Sequence, residues 1–215
     1  MPTDRPDRSD RSDRSDRPDR SDRSGAREDG PLGVVFVCTG NICRSPMGDV
    51  VLRHLAADRA LPDGTVLGER LVVSSAGTGG WHEGEPMDPR ARAALERRGY
   101  ADHGHRARPF DTAWLPGADL VVCMDRSHRQ TLASLARAKA GDSRYDGRLV
   151  LLRGFMTRSG GDPDVPDPYY GDDADFESCL DLVEAGCRGL VDHLVDRMGG
   201  RPDGRPGPRP VADAR

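Results

Sequence analysis

The sequence lacks the features of membrane proteins and of exported proteins. It has no uninterrupted apolar stretch near the ~20 residues that span a bilayer, and its first residues lack the apolar core of a signal peptide. It also lacks an excess of positive charge, because 36 Asp and Glu residues outnumber 32 Lys and Arg residues. The net charge of −4 gives no electrostatic basis for binding nucleic acid. We therefore expect a cytoplasmic protein with no membrane or nucleic-acid partner.

A disulfide framework also has no support, because the chain of 215 residues has an odd number of cysteines. An odd number in a chain of this length favours reduced thiols in a cytoplasm. The five are Cys38, Cys43, Cys123, Cys179 and Cys187. We interpret the last three as thiols that pack in or near the core.

Hydrophobic residues are scarce, at 35% of the chain, and the shortage is concentrated at its two ends. Residues 1–30 repeat Asp, Arg and Ser with hardly any apolar side chain, which predicts a disordered low-complexity extension. Residues 199–215 are rich in Pro, Gly and Arg and predict a second disordered tail. Residues 31–198 remain as one globular domain that is large enough for a single core.

Four short apolar runs rich in β-branched residues predict buried strands at 32–37, 70–75, 118–124 and 147–152. A helical stretch follows each predicted strand. This alternation predicts an α/β fold in which helices cover both faces of an open four-stranded parallel sheet, in three Rossmann-like layers.

The predicted helices have recognisable ends. We expect Ser45, Asp88 and Ser127 to cap the N-termini of the first three helices, and Gly99 to end the second. Apolar residues spaced alternately by four and three positions predict the last helix. They are Phe176, Leu180, Val183, Cys187, Leu190 and Leu194.

The segment CTGNICRS lies between the first strand and the first helix, at the sheet edge where ligands of such folds bind. Gly40 and Asn41 tolerate the positive φ that a tight anion-binding loop requires. The loop amides and the helix dipole would hold an oxyanion, and Arg44 would bind two of its oxygens. The same groups would favour the thiolate of Cys38, and Ser45 could donate its hydroxyl to that sulfur. The spacing therefore predicts phosphoryl transfer to a cysteine.

Cleavage of a phosphate ester also needs an acid that protonates the departing oxygen. Asp167 is a candidate because prolines flank it on both sides and it lies on a loop after the fourth strand. Asp172 and Asp173 follow closely, but they lie where the last helix needs its cap.

Six segments carry a resemblance to a known family. They are VCTGNICRSPMG, SSAGTGGW, DPRA, HGHRARPF, VVCMDRSH and DPYYGDDADFE, in this order. Together they resemble the low-molecular-weight protein tyrosine phosphatases over residues 33–197. The resemblance implies a phosphatase catalytic domain at 31–198 that acts on tyrosine-phosphorylated proteins. It also implies that no metal or organic cofactor is needed, and we expect a monomer or weak self-association.

The resemblance assigns roles to individual residues. Cys38 resembles the nucleophile that forms a phosphocysteine, Arg44 the phosphate clamp, and Asp167 the general acid that later acts as a base. Ser45 resembles the hydroxyl that stabilises the thiolate, and Asn41 the strained loop residue. The phosphate-binding loop comprises Thr39, Gly40, Asn41, Ile42, Cys43 and Arg44.

Further positions have supporting roles in the resemblance. Ser75 and His105 match the hydrogen-bond partners of Asn41. Cys43 matches a second cysteine that forms a reversible disulfide with the nucleophile under peroxide. The expected aromatic rim around the substrate consists of Trp81, Tyr169 and Tyr170.

Other functions stay open. Arsenate reductases share the loop but need two more cysteines before the third strand, and residues 44–122 have none. Protein arginine phosphatases carry a threonine where this chain has Ile42, and their loop after the acid is less aromatic. Ile42 and the Tyr169–Tyr170 pair therefore favour phosphotyrosine. A non-catalytic phosphotyrosine-binding module is the alternative from a different functional class.

We assign no metal-binding or catalytic role to the remaining candidates. A zinc site formed by Cys38, Cys43, His103 and His105 is disfavoured, because the neighbouring arginine would repel the metal. Four histidines receive no functional role. They are His54, His82, His128 and His193.

Overall fold

A computed structural model describes residues 30–141, 143–156 and 161–199. The predicted N-terminal extension and C-terminal tail lie outside these residues, apart from Gly30 and Gly199 at their borders. The strands are β1 (Leu32–Cys38), β2 (Leu71–Gly77), β3 (Leu120–Cys123) and β4 (Leu149–Leu151). The helices are α1 (Arg44–Ala56), α2 (Pro89–Arg97), α3 (Arg126–Ala140) and α4 (Asp173–Gly199). Short 3₁₀ helices span Leu67–Arg70, Thr112–Trp114, Asp146–Arg148 and Leu152–Phe155.

The four strands form one parallel sheet in the order β2-β1-β3-β4, which confirms the predicted fold class. Alternating side chains of β1 enter two cores on opposite faces. Val34 and Phe36 pack with residues of α1, α2 and α4, whereas Val35 and Val37 pack with residues of α3. Both faces are therefore covered, which explains why the strands are continuous apolar runs.

The long C-terminal helix α4 matches its prediction. All six apolar residues at the predicted spacing are buried. Its N-terminus is capped by Asp172, whose Oδ1 accepts hydrogen bonds from the backbone N–H groups of Ala174 (2.9 Å) and Asp175 (3.3 Å). The expectation that Asp172 caps this helix is confirmed.

Two of the three other predicted N-caps are wrong. The N-cap of α1 is Cys43, and Ser45 is a buried residue of the first turn whose hydroxyl serves the site. The N-cap of α3 is Asp125, whose carboxylate accepts from the His128 N–H (2.9 Å). Asp88 caps α2 as predicted, and Gly99 follows that helix with φ +80°.

The outer edge of β2 is occupied by groups from outside the sheet. The Val73 carbonyl accepts a hydrogen bond from Arg53 of α1, and the Ser75 carbonyl accepts one from Arg108 Nε (3.1 Å). Gly77 bonds backbone to backbone with the Arg108 carbonyl (2.9 Å) and the Phe110 N–H (2.8 Å). The segment around Arg108 thus covers this edge and also reaches the site described below.

Within the described ranges, no helix combines the length and the apolar character that crossing a membrane requires.

Candidate active site

The loop between β1 and α1 is organised around Asn41, a buried residue with φ +57°. Its side-chain NH₂ donates to the hydroxyls of Ser45 (2.9 Å) and Ser75 (3.0 Å), and its Oδ1 accepts from the Arg108 backbone N–H (2.9 Å). Its carbonyl oxygen lies 2.7 Å from His105 Nε2. Four hydrogen bonds offset the cost of the left-handed backbone at a non-glycine residue. The contacts predicted with Ser75 and His105 are present.

Cys38 ends β1 and is buried at the base of this loop. Its sulfur lies 3.0 Å from Ser45 Oγ, and Ser45 Oγ also lies 3.2 Å from the Ala76 carbonyl. The single hydroxyl proton can turn to either acceptor, so an ionised sulfur would take it. Gly77 has no side chain for a steric reason, because a Cβ there would lie 2.7 Å from the Thr39 carbonyl oxygen.

Arg44 begins α1, and its guanidinium is buried beneath the loop. Nη1 donates to Asp125 Oδ2 (3.0 Å) and to the Val165 carbonyl (3.1 Å). Nη2 donates to Thr39 Oγ1 (3.1 Å) and to Asp167 Oδ2 (2.5 Å). Nε is also buried, and among the described residues it has no hydrogen-bond partner. The Nε–Nη2 edge of the guanidinium is therefore the edge that could bind an oxyanion.

The Asp125–His128 pair was not predicted from the sequence. It contacts this arginine directly through Asp125 and indirectly through Thr39. His128 is buried, with Nε2 2.9 Å from Thr39 Oγ1 and Nδ1 3.0 Å from Asp125 Oδ1, although the latter pair is poorly aligned for a hydrogen bond. Burial lowers the pKa of His128 to about 4, although Asp125 acts in the opposite direction. A neutral ring protonated at Nδ1 accepts from the Thr39 hydroxyl, whose oxygen accepts from Arg44. His128, which received no functional role from the sequence, therefore lies against the phosphate-binding loop.

Asp167 lies on an exposed loop between β4 and α4. Prolines precede and follow it, and its Oδ1 accepts from the Tyr169 N–H (3.2 Å) while its Oδ2 binds Arg44. The N-terminal end of this loop is fixed by the Val165 N–H, which donates to the Met124 carbonyl (2.8 Å). Its side chain is 44% exposed, whereas that of Arg44 is only 4% exposed. The aspartate therefore lies between the buried guanidinium and solvent.

Cys38, Arg44 and Asp167 line one cleft of about 330 Å³. Ten of the sequence-predicted site residues are on its wall, and the further member of the lining is His82. His82, which received no functional role from the sequence, therefore lies on the cleft lining. Asn41, Ser45, Ser75 and His105 lie behind the wall as a supporting layer. The lining consists of Cys38, Thr39, Gly40, Ile42, Cys43, Arg44, Trp81, His82, Asp167, Tyr169 and Tyr170.

A family described as "Low molecular weight phosphotyrosine protein phosphatase" matches residues 33–198. The chain belongs to this family. It is 47% identical over 163 residues to a low molecular weight protein-tyrosine-phosphatase of Streptomyces coelicolor, a match that covers 74% of this chain and 90% of the relative.

Solved structures agree with this assignment. The structure of YfkJ from Bacillus subtilis is 32% identical, with a TM-score of 0.67, and the match covers 79% of this chain and 98% of YfkJ. The YwlE arginine phosphatase, a Bacillus subtilis protein, is 27% identical with a TM-score of 0.62, and the match covers 81% of this chain and 100% of YwlE. The fold thus accommodates enzymes named for different phosphorylated residues.

The mouth of the phosphatase cleft is aromatic. Trp81 is 75% exposed, and its ring lies over Gly79, where any Cβ would overlap the indole. Tyr170 is 96% exposed and makes an edge contact with Tyr169, with ring centroids 5.0 Å apart. His82 lies beside them, with its ring centroid 6.1 Å from that of Tyr169. The rings of Trp81, His82, Tyr169 and Tyr170 all belong to the lining of the cleft.

The second cysteine of the phosphatase loop, Cys43, is a buried free thiol. Burial, with a smaller contribution from Asp88, raises the pKa of Cys43 well above its usual range. Cys38 is also a free thiol, and the predicted reversible disulfide between the two stays a prediction. Within the described residues, no group of three or more His, Cys, Asp or Glu side chains could hold a metal ion, so the zinc alternative has no geometric support.

Proposed function

We propose that this phosphatase hydrolyses phosphotyrosine in proteins through a phosphocysteine intermediate. The observation that carries the proposal is the shared cleft, in which a cysteine thiol, a buried guanidinium and an aspartate from a distant loop line the same wall. The substrate class is supported by the Streptomyces coelicolor relative, whose name specifies a protein-tyrosine phosphatase. We place the reaction in the cytoplasm, where thiols stay reduced.

In the first step, the Cys38 thiolate attacks phosphorus. A sulfur–phosphorus bond forms as the bond from phosphorus to the tyrosyl oxygen breaks, and Asp167 gives its proton to that oxygen. The loop amides and the Nε–Nη2 edge of Arg44 hold the equatorial oxygens of the phosphoryl group. In the structure, Asp167 binds Arg44 Nη2. A phosphoryl oxygen that accepts from Nη2 instead would displace the carboxylate toward the ester oxygen.

In the second step, Asp167 accepts a proton from water, and the water oxygen attacks phosphorus. The sulfur–phosphorus bond breaks, inorganic phosphate forms and Cys38 returns as a thiolate. Ser45, whose Oγ lies 3.0 Å from the sulfur, donates a hydrogen bond to the departing thiolate. Each step conserves atoms and electrons, so the proposal requires no cofactor.

The depth of the cleft accounts for tyrosine specificity in this proposal. Cys38 is buried, while Trp81 and Tyr170 stand at the exposed mouth. A phosphotyrosine ring can pass between these aromatic walls and bring its phosphate to the sulfur, whereas a phosphoserine is too short. We expect aryl phosphates to be hydrolysed much faster than alkyl phosphates.

Phosphoarginine is the second candidate substrate because YwlE, which has the same fold, is named as an arginine phosphatase. The cleft of this chain has Ile42 on its lining, and Ile42 offers no side-chain hydrogen bond to a guanidinium. The aromatic pair Tyr169 and Tyr170 favours an aryl group instead. Phosphotyrosine is therefore the preferred substrate.

Steady-state turnover of phosphotyrosine, phosphoserine and phosphoarginine peptides tests the proposal. We expect turnover of phosphotyrosine, and a loss on the order of 10⁴-fold or more in Cys38→Ser. Cys179→Ala, which removes a buried thiol outside the cleft lining, is the matched control and should retain turnover. Turnover confined to phosphoarginine would replace the substrate class, and binding without turnover would make the protein a recognition module.

A further inference from the structure

A second arginine, Arg90 near the start of α2, connects Asp88 to the loop that carries Asp167. Its Nε and Nη2 donate to the two carboxylate oxygens of Asp88, at 3.1 and 2.9 Å. The same carboxylate caps α2 by accepting from the Arg90 N–H (2.8 Å). This two-point ion pair fixes the plane of the guanidinium, and the Asp88 side chain is only 7% exposed.

The other side of the guanidinium reaches the loop that carries Asp167. Nη1 donates to the Gly171 carbonyl (3.0 Å) and Nη2 to the Tyr169 carbonyl (3.0 Å). The face of the guanidinium lies over the Phe176 ring, with Cζ 4.5 Å from the ring centroid. Arg90 thus contacts the loop through two backbone carbonyls and contacts the helix that follows it through an aromatic face.

Asp88 is in turn tied to the phosphate loop. Its backbone N–H donates to the Ile42 carbonyl (2.9 Å). A continuous chain of short hydrogen bonds therefore runs from Ile42 through Asp88 and Arg90 to Tyr169 and Gly171. This chain sets the distance between the loop that binds phosphate and the loop that carries the acid.

Arg44 also contacts the acid loop (165–172), through Asp167 and through the Val165 carbonyl, and the proposed reaction breaks the contact with Asp167. When a phosphoryl oxygen takes Arg44 Nη2, Asp167 loses that partner. The bonds from Arg90 involve neither the phosphate nor Asp167, so they persist through the reaction. Val165 still holds the N-terminal end of the loop, so the position of Asp167 at the moment of proton transfer depends on Arg90 at the C-terminal end.

We propose that Arg90 is a positioning residue for the general acid, and that it holds the loop at 165–172 so that Asp167 reaches the ester oxygen after Arg44 has turned to phosphate. The inference rests on the proposed function. Its chemical consequence is selective, because an acid matters most when the leaving oxygen is most basic.

Arg90→Met tests this with two leaving groups, phenol and the more acidic p-nitrophenol. We expect kcat/KM for phenyl phosphate, which reports only the steps up to release of the phenol, to fall by roughly 10- to 100-fold, because small displacements of a catalytic group have effects of that size. The loss for p-nitrophenyl phosphate should be several-fold smaller. Competitive inhibition by inorganic phosphate should stay within about twofold of wild type, because Arg90 does not touch the phosphate loop side chains.

A double-mutant cycle separates positioning from general damage. In an Asp167→Asn background, Arg90→Met should have no further effect on phenyl phosphate, because the group that it positions is already absent. Arg97→Met is the matched control, because Arg97 lies on the same helix and pairs with Glu177 of α4 without touching the acid loop. It should leave both kcat/KM values unchanged.

If Arg90→Met proves poorly folded in urea titrations, Arg90→Lys gives the same test. Lysine keeps the charge but cannot bind Asp88 and both carbonyls together. Arg90→Lys should therefore also lose more activity on phenyl phosphate than on p-nitrophenyl phosphate. Equal losses on both phenols, or losses that add in the Asp167→Asn background, would overturn the inference. Failure of the proposed function is distinguishable, because the wild-type protein would then turn over neither phenol ester.

Discussion

The two loops that form the cleft are held in different ways. In the phosphate loop, Cys38, Asn41, Ile42, Cys43 and Arg44 are all buried, and Asn41 alone makes four hydrogen bonds. In the acid loop, the reactive aspartate and both tyrosines are exposed, and arginine side chains from elsewhere hold the segment.

This difference matches the two tasks that we propose for the loops. A loop that stabilises developing charge works best when its dipoles are already oriented, so a buried and fully bonded loop is suitable. A loop that admits substrate and moves a proton needs contacts that can be exchanged. Arg44 illustrates both conditions, because Asp125 and Val165 fix one of its nitrogens while Asp167 binds another through an exposed carboxylate.

The largest expected effect comes from the exposed side of the comparison. Asp167→Asn should lower kcat for phosphotyrosine by about 10²–10³-fold, because the proton donor is lost. Inhibition by inorganic phosphate should become roughly threefold tighter, because the carboxylate no longer competes for Arg44 and a part-exposed ion pair of this kind is weak. Inhibition assays measure the affinity for phosphate, and urea unfolding checks that the variant is folded. Weaker inhibition would contradict the exchange between Asp167 and phosphate.

The buried side is tested by Asn41→Ala. We expect the free energy of unfolding to fall by about 3 kcal/mol. Ser45, Ser75 and the Arg108 N–H lose their hydrogen bonds to the side chain, and alanine disfavours φ +57°. Asn41→Gly removes the same side-chain bonds but tolerates the backbone, so it should be more stable than the alanine variant by about 1 kcal/mol. Urea titrations of the three proteins provide the comparison, and three equal midpoints would refute it.

The buried histidine makes stability depend on pH. The unfolded protein protonates His128 near its ordinary pKa of 6.5, whereas the folded protein resists until about 4. The unfolded state therefore binds more protons in this window, so stability should fall as pH falls through it. We expect wild type to lose on the order of 2–3 kcal/mol more than His128→Gln between pH 7 and pH 4. Parallel pH curves for the two proteins would show that His128 is not responsible.

The smallest effect concerns the rim. Gly79→Ala should displace the Trp81 ring and raise KM for phosphotyrosine by about threefold to fivefold, the size of one aromatic stacking contact, while kcat changes little. Gly80→Ala is the matched control, because a Cβ there would meet Pro109 at an ordinary 3.8 Å. An unchanged KM in Gly79→Ala would remove Trp81 from the substrate rim.

The order of elements and most of the cleft could be predicted from the sequence because they depend on local patterns. Apolar runs located all four strands to within a few residues of β1–β4. The segment CTGNICRS contributes six residues to the lining of the cleft, so its spacing alone brings them together.

Contacts between distant segments could not be predicted in this way. Ser127 and Asp125 are both good N-cap residues, and the turn geometry that selects Asp125 is not visible in the sequence. His128 shares the buried face of α3 with Leu132 and Ala136, and its contact with Thr39 depends on how that helix packs against the phosphate loop. The Arg90 contacts join residues about 80 positions apart. For the Asp125–His128 pair, the available signal in the sequence was the aspartate three residues before the histidine.

The covered edge of β2 has a consequence for self-assembly. An open edge strand can recruit a strand from another molecule and begin aggregation. Here Arg53, Arg108 and Phe110 already occupy the outward groups of Val73, Ser75 and Gly77. An incoming strand would have to peel away the segment around Arg108, whose N–H also braces Asn41. Molecules joined through this edge would therefore have lost the support of their phosphate loop, so falling activity should precede visible aggregation.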